Sequence, residues 1–168
     1  SGSRVLEQRK LGHPTGAAKY LTPSGDRLLL VTPQGQGNPE RVADSRRPIL
    51  MSEGTKQTYA AASYLHDHAV IGFLGAQAWA HDGGRPLPDF EEIDWEGRTV
   101  TVAMDADIAT NLAVWEAAKR LKDHLEVTYG AGEVRFAVLA GENKDGLDDF
   151  LAQAPVAKRR ARLERLVD

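Results

Sequence analysis

The chain has 168 residues, no cysteine and a formal net charge of −3. That length fits one domain able to bury its own core, and the lack of Cys excludes a disulfide framework or a thiolate metal centre, as in a cytoplasmic protein. The mild charge excludes no partner class, because local patches decide such binding, but no apolar run nears the roughly 20 residues that cross a bilayer.

Residues 1–46 read as an irregular arm. It opens on Ser-Gly-Ser, which reads as a cloning remnant. With no initiator Met and no signal peptide, the chain is expected to be a domain of a longer protein. The Pro-Ser-Gly-Asp turn signal at 23–26 and the apolar run Leu28 to Val31 predict a short strand or hairpin. The Gly- and Pro-rich stretch 33–47 predicts a loop.

From Arg47 the rhythm changes, and residues 47–154 read as the core. "RPILMSE" predicts a buried strand, and "GTKQTYAAASYLHDHA" a helix with Tyr59, Ala62 and Leu65 on one face. "VIGFLG" is a second strand, and the long connection after it holds a short helix begun by Pro88. "RTVTVAMD" is a third strand. Ile108, Leu112, Trp115, Ala118, Leu121 and Leu125 then mark the apolar stripe of a long helix ending near Gly130. "EVRFAVLA" is a fourth strand and "GLDDFLAQA" a helical turn, while residues 155–168 form a basic terminal helix. Strands alternate with helices and are almost continuously apolar. The pattern predicts a Rossmann-like α/β domain, a parallel sheet of about four strands with helices on both faces.

In such a sheet, ligands sit outside the carboxyl ends of the strands. The first predicted strand ends at Glu53-Gly54, the second at Gly72 and Gly75, and the third at Asp105 with Asp107 two residues on. Residues i and i+2 of an extended segment point the same way, so the two aspartates can converge, with Glu53 joining from the next strand. Clustered carboxylates repel unless a proton or cation intervenes. Oxygen ligands alone favour Mg²⁺ or Mn²⁺, ions suited to phosphoryl chemistry. The competing reading makes Asp105 or Asp107 a helix cap.

The ordered set "KYLTPSG", "EGTK", "GAQAW", "GRTVTVAMDAD" and "KDGLDDFLA" resembles the TOPRIM fold of primases, topoisomerases and OLD-family nucleases. It is most similar to TOPRIM-like domains in phage, plasmid and other mobile-element replication proteins, from about Lys19 to the end. The resemblance implies primase-like nucleotidyl transfer on nucleic acid, with single-stranded DNA and nucleotides as substrates. Helicase or primase modules are the implied partners. By the same resemblance Glu53 is a general acid/base or metal ligand, Asp105 and Asp107 hold Mg²⁺ or Mn²⁺, and Lys56 holds a phosphate. Asn111 stands at a polar position at the start of the long helix, and Lys144, Asp148 and Asp149 match the late motif. Primases and topoisomerases often carry a further acid after Asp-x-Asp. Here Ile108, Ala109 and Thr110 follow, so one metal ion is expected.

The remaining candidates have competing readings. His66 and His68 are either ligands or helix-end residues facing the last carbonyls. His81-Asp82-Gly83-Gly84 reads as a loop tip. Of the tryptophans, Trp79 is the expected surface aromatic able to stack bases, and Trp115 the expected core residue. Lys158, Arg159, Arg160, Arg162 and Arg165 form either a solvated helix face or a phosphate-backbone patch. Lys19, Arg27, Arg41, Arg46 and Arg47 add basic charge to the arm. A TOPRIM nuclease and a non-catalytic nucleic-acid-binding module are the alternatives. A phospho-receiver domain is disfavoured by the order of its Asp and Lys.

Overall fold

The computed structural model describes residues 28–81, 84–139 and 145–168, together with two short antiparallel strands, Arg9–Lys10 and Tyr20–Leu21. Lys144, Lys19, Arg27, Asp82 and Gly83 lie outside the described residues. Four strands form the sheet: β1 (Ile49–Glu53), β2 (Ala69–Phe73), β3 (Thr99–Ala103) and β4 (Glu133–Ala137). Their order is β2-β1-β3-β4 and every pairing is parallel. The expected α/β architecture is therefore the observed one.

Helices cover both faces because β1, β2 and β3 are buried along almost their whole length, while the edge strand β4 carries Glu133 and Arg135 on one face. One side of the sheet carries Ile49, Met51, Ile71, Phe73, Val100 and Val102. It is covered by Ala118, Leu121 and Leu125 from a helix over Leu112–Asp123 and the π-helical turn His124–Thr128 that continues it. Gly130, at φ +71°, ends that element where the sequence places the stop. The other side carries Leu50, Val70 and Ala103. Three helices pack on it, over Thr55–Tyr64, Leu147–Ala152 and Val156–Val167. Fully burying one such Leu or Ile contributes roughly 1.5–3 kcal/mol.

Part of the arm belongs to this core. A helix spans Asn38–Ala43 where a loop is expected, following Gly37 at φ +70° and carrying Pro39 in its first turn. In chain order the helices are thus α1 (Asn38–Ala43), α2 (Thr55–Tyr64), α3 (Leu112–Asp123), α4 (Leu147–Ala152) and α5 (Val156–Val167). The strand expected over 28–31 reduces to a single bridge, Val31 to Gly72. That bridge and Asn38 close the outer edge of β2. The Asn38 amide donates to the Val70 carbonyl at 2.9 Å and accepts its N–H at 2.8 Å, as a neighbouring strand would.

Glycine at 72 serves packing. A Cβ there would stand 2.0 Å from Thr58 Oγ1 on α2, so the missing side chain makes room for Thr58. Thr58 in turn exchanges a hydroxyl hydrogen bond of 2.9 Å with Ser52. The result seats the start of α2, and with it Lys56 and Gln57, beside the carboxyl end of β1.

Candidate functional site

The strand order reverses between β1 and β3: from β1 the chain crosses to β2 on one side, and from β2 it returns to β3 on the other. The crevice above that switch point is where open α/β sheets take their ligands. Glu53 ends β1 and Asp105 follows β3 by two residues, so both stand at this crevice. Gly54 makes the turn into α2 at φ +86°, a conformation that side chains rarely adopt. That explains Gly after Glu in "EG".

Glu53 is half-buried. Its Oε1 accepts the Ala76 N–H at 3.1 Å, and its Oε2 lies 3.5 Å from the Asp105 N–H. Burial pushes its carboxyl up to about 7, and repulsion from Asp105 and Asp107 adds to the rise against those two donors. The three acids are thus close enough to feel one another. Among the described residues, however, no three carboxylate or imidazole groups form a ready-made metal cluster.

Asp105 occupies the first position of a 3₁₀ turn over Ala106–Ala109 but makes no capping bond there. Its Oδ1 instead accepts Gln57 Nε2 at 2.6 Å. Gln57 Oε1 accepts the Leu147 N–H at 3.0 Å, so one amide ties β3, α2 and α4 together. Gly146 makes room for it, since a Cβ there would stand 2.3 Å from Gln57 Nε2. Asp107 Oδ2 accepts Asn111 Nδ2 at 3.3 Å, which places Asn111 beside the acids. Gln57 is the site residue that sequence reading misses. Its signal was present: it stands four residues after Glu53, in the first turn of the helix that leaves the crevice.

The late motif splits. Asp148 pairs with Lys56 at 2.5 Å, with Lys56 well exposed and Asp148 nearly buried. Asp149 turns back to the N–H of Gly146 at 3.4 Å and closes its own helix end. Lys56, Asp148 and Arg159 share the wall of a cavity of about 330 Å³ between α2, α4 and α5. Arg159 donates to the Ala154 carbonyl at 3.1 Å and to the Tyr64 hydroxyl at 3.3 Å. Arg160 is not brought to the crevice. It pairs with Glu164 at 2.7 Å and Asp67 at 3.7 Å, and Asp67 precedes β2, at the opposite edge of the sheet. Arg162 lies over the Phe150 ring at 4.0 Å.

The tryptophans exchange their expected roles. Trp79 is buried, 1 % exposed, because the turn after β2 folds it under Leu87 and against His124. Trp115 is 45 % exposed and leans on Phe136 of the edge strand β4. Leu112 and Tyr59, expected on apolar stripes, are also exposed. Of the two histidines, His66 is exposed and His68 half-buried, and burial lowers the pKa of His68.

A family model described as a domain of unknown function, DUF3854, matches residues 40–158, from within α1 to the start of α5. No curated protein and no solved structure matches the chain.

Proposed function

The chain belongs to the DUF3854 family, and from its acidic crevice we propose divalent-metal-dependent phosphodiester chemistry on nucleic acid. Primase-like nucleotidyl transfer is the first reading, with Mg²⁺ or Mn²⁺ as the ion. One observation carries it: Glu53 and Asp105 meet at the switch point of the sheet, and Glu53 is destabilised by both Asp105 and Asp107. The motif set that resembles TOPRIM domains supports the same reading.

The donors fit the ion. All are oxygens, the chemistry of a hard cation. Mg²⁺ commonly binds through one or two carboxylates and keeps several waters, so a closed protein cage is not required. When bound, the ion supplies charge neutralisation at a phosphate. The chain's own residues do the rest. Gln57 orients Asp105, and Asn111 orients Asp107. Glu53 stands where it can take a proton from an attacking hydroxyl. Lys56, at the mouth of the crevice, neutralises a strand phosphate while Asp148 holds it in place.

The test uses the full chain, Mn²⁺ and labelled single-stranded DNA, with and without ribonucleotides. Primer synthesis is the expected result, and strand scission without synthesis reassigns the crevice to a nuclease. Binding with neither activity makes the chain a recognition module. Equal Mg²⁺ binding by wild type and the Asp105→Ala/Asp107→Ala variant sinks the ligand assignment.

A further inference from the structure

A second cavity opens beside the crevice. It measures about 590 Å³ and is lined by Leu28, Ala78, Trp79 and Ala80 on its apolar side and by Gln77, His81 and Arg120 on its polar side. That size suits a ligand of nucleotide dimensions. The lysine and arginine side chains around the other two cavities are already engaged. Around the 330 Å³ cavity, Lys56 is paired with Asp148 and Arg159 is bonded to a carbonyl and a hydroxyl. Around a 460 Å³ cavity at the amino edge, Arg98 is bonded to carbonyls and Arg135 to Asp168 O, although His68 Nδ1 and Arg135 Nε there are also buried without a hydrogen-bond partner among the described residues. In the cavity beside the crevice the side chains of Gln77, His81 and Arg120 have no hydrogen-bond or ion-pair partner among the described residues. The indole N–H of Trp79, in a side chain only 1 % exposed, also lacks an acceptor. Trp95 shows the ordinary outcome: its indole donates to the Phe90 carbonyl at 2.8 Å. A buried donor left without an acceptor is costly.

We propose that this cavity is the nucleotide-binding subsite of the crevice: the base packs among Leu28, Ala78 and Trp79, and Arg120 pairs with the phosphate. The inference rests on the reading of the crevice as a site of nucleotide chemistry. A base brings a flat apolar body, with ring nitrogens and carbonyl oxygens along its edge to accept from the Gln77 amide. An exposed guanidinium at the rim suits a phosphate. The two sites share one loop. Gly75 turns it at φ +122°, the Ala76 N–H holds Glu53, and the next residue, Gln77, begins the cavity wall. A nucleotide seated there rests on the same loop that holds Glu53.

Calorimetric titration of AMP and adenosine into the full chain in EDTA tests the subsite with the metal site silent. AMP is expected to bind wild type, with Arg120→Ala weakening AMP about tenfold and leaving adenosine unchanged. Gln77→Ala and His81→Ala, both outside the core, weaken both compounds severalfold. Asp105→Asn/Asp107→Asn abolishes Mn²⁺ binding and leaves AMP binding intact. No AMP binding by wild type at millimolar concentration overturns the subsite, as does equal AMP affinity across wild type, Arg120→Ala and Gln77→Ala. Loss of AMP binding in the aspartate variant alone assigns the nucleotide to the acids and likewise overturns the cavity. Mn²⁺ binding that persists in wild type under any of these results leaves the metal reading standing.

Discussion

The two edges of the sheet both bury charge, and they treat it in opposite ways. At the amino edge, Arg98 is 3 % exposed and donates to the carbonyls of Arg47 at 2.7 Å, Val42 and Asp94 at 3.0 Å, and Arg41 at 3.3 Å. One guanidinium thereby fastens α1 and the loops before β1 and β3. At the carboxyl edge, Glu53, Asp105 and Asp107 are set against one another, with backbone N–H groups, one glutamine and one asparagine as their neighbours. The first edge matches buried charge to acceptors and gains cohesion. The second sets like charges beside a half-buried Glu53 and raises its pKa, a cost that a cation would relieve.

The amino edge breaks hardest. Arg98→Met keeps the apolar stem and strands up to four carbonyls, and is expected to cost roughly 3–5 kcal/mol in urea denaturation. An effect below about 1 kcal/mol would show that water replaces those bonds and that this edge is not the fastening it resembles.

The carboxyl edge is expected to respond with the opposite sign. Glu53 has its folded pKa raised from 4.5 to about 7. Below about pH 4.5 both states hold the proton and nothing is lost. Between 4.5 and 7 the folded state keeps a proton that the unfolded state releases, so stability falls as pH rises through that window. Glu53→Gln cannot titrate, so without metal it is expected to be more stable than wild type at pH 8, by up to about 3 kcal/mol. The advantage shrinks to nothing by pH 4.5. Melting curves at pH 4.5, 6 and 8 in EDTA check this, and a variant equal to or weaker than wild type at pH 8 would remove the contrast between the edges. Under the proposed function, the same substitution is expected to abolish primer synthesis with Mn²⁺.

How far these edges were legible in the sequence follows from what each depends on. The strands, the parallel sheet and the crevice acids were legible because continuous apolar runs and residues placed just after them are local signals. Arg98 carried no such signal, since its four acceptors come from residues scattered between 41 and 94. Trp79 and Trp115 were exchanged for the same reason. Helical spacing puts Trp115 on a stripe, but there it meets only Phe136 of the edge strand β4 among the described aromatic rings and stays 45 % exposed, and a turn after β2 buries Trp79. Helix α1 was hidden because its Pro and Gly, read as loop signals, are here a helix start. Gln57 lay within "EGTKQ", but its partners Asp105 and Leu147 are 48 and 90 residues away.

Gln57 lies between the extremes. Gln57→Leu removes the amide that joins Asp105 to α4 without adding charge to the crevice. It is expected to cost about 1–2 kcal/mol, because the Leu147 N–H loses its acceptor. The larger consequence falls on metal affinity, expected to weaken at least tenfold as the orientation of Asp105 is lost. Stability loss with unchanged Mn²⁺ affinity would make Gln57 a fastening like Arg98 rather than a support for the acids.

The smallest expected effect on stability separates the two edges most cleanly. Lys56 is 79 % exposed, and its pair with Asp148 is a surface pair on one side, so Lys56→Met should change stability by no more than about 0.5 kcal/mol. If the carboxyl edge tracks a nucleic-acid backbone, the same change weakens binding of single-stranded DNA. It also lowers the slope of log affinity against log salt by roughly 0.7, the share of one phosphate contact. Arg160→Met at the other edge, where the guanidinium is held by Glu164 and Asp67, should leave that slope unchanged. Equal slopes for the two variants would mean that the edges do not differ towards nucleic acid. A loss only in Arg160→Met would move the strand to α5 and away from the acids.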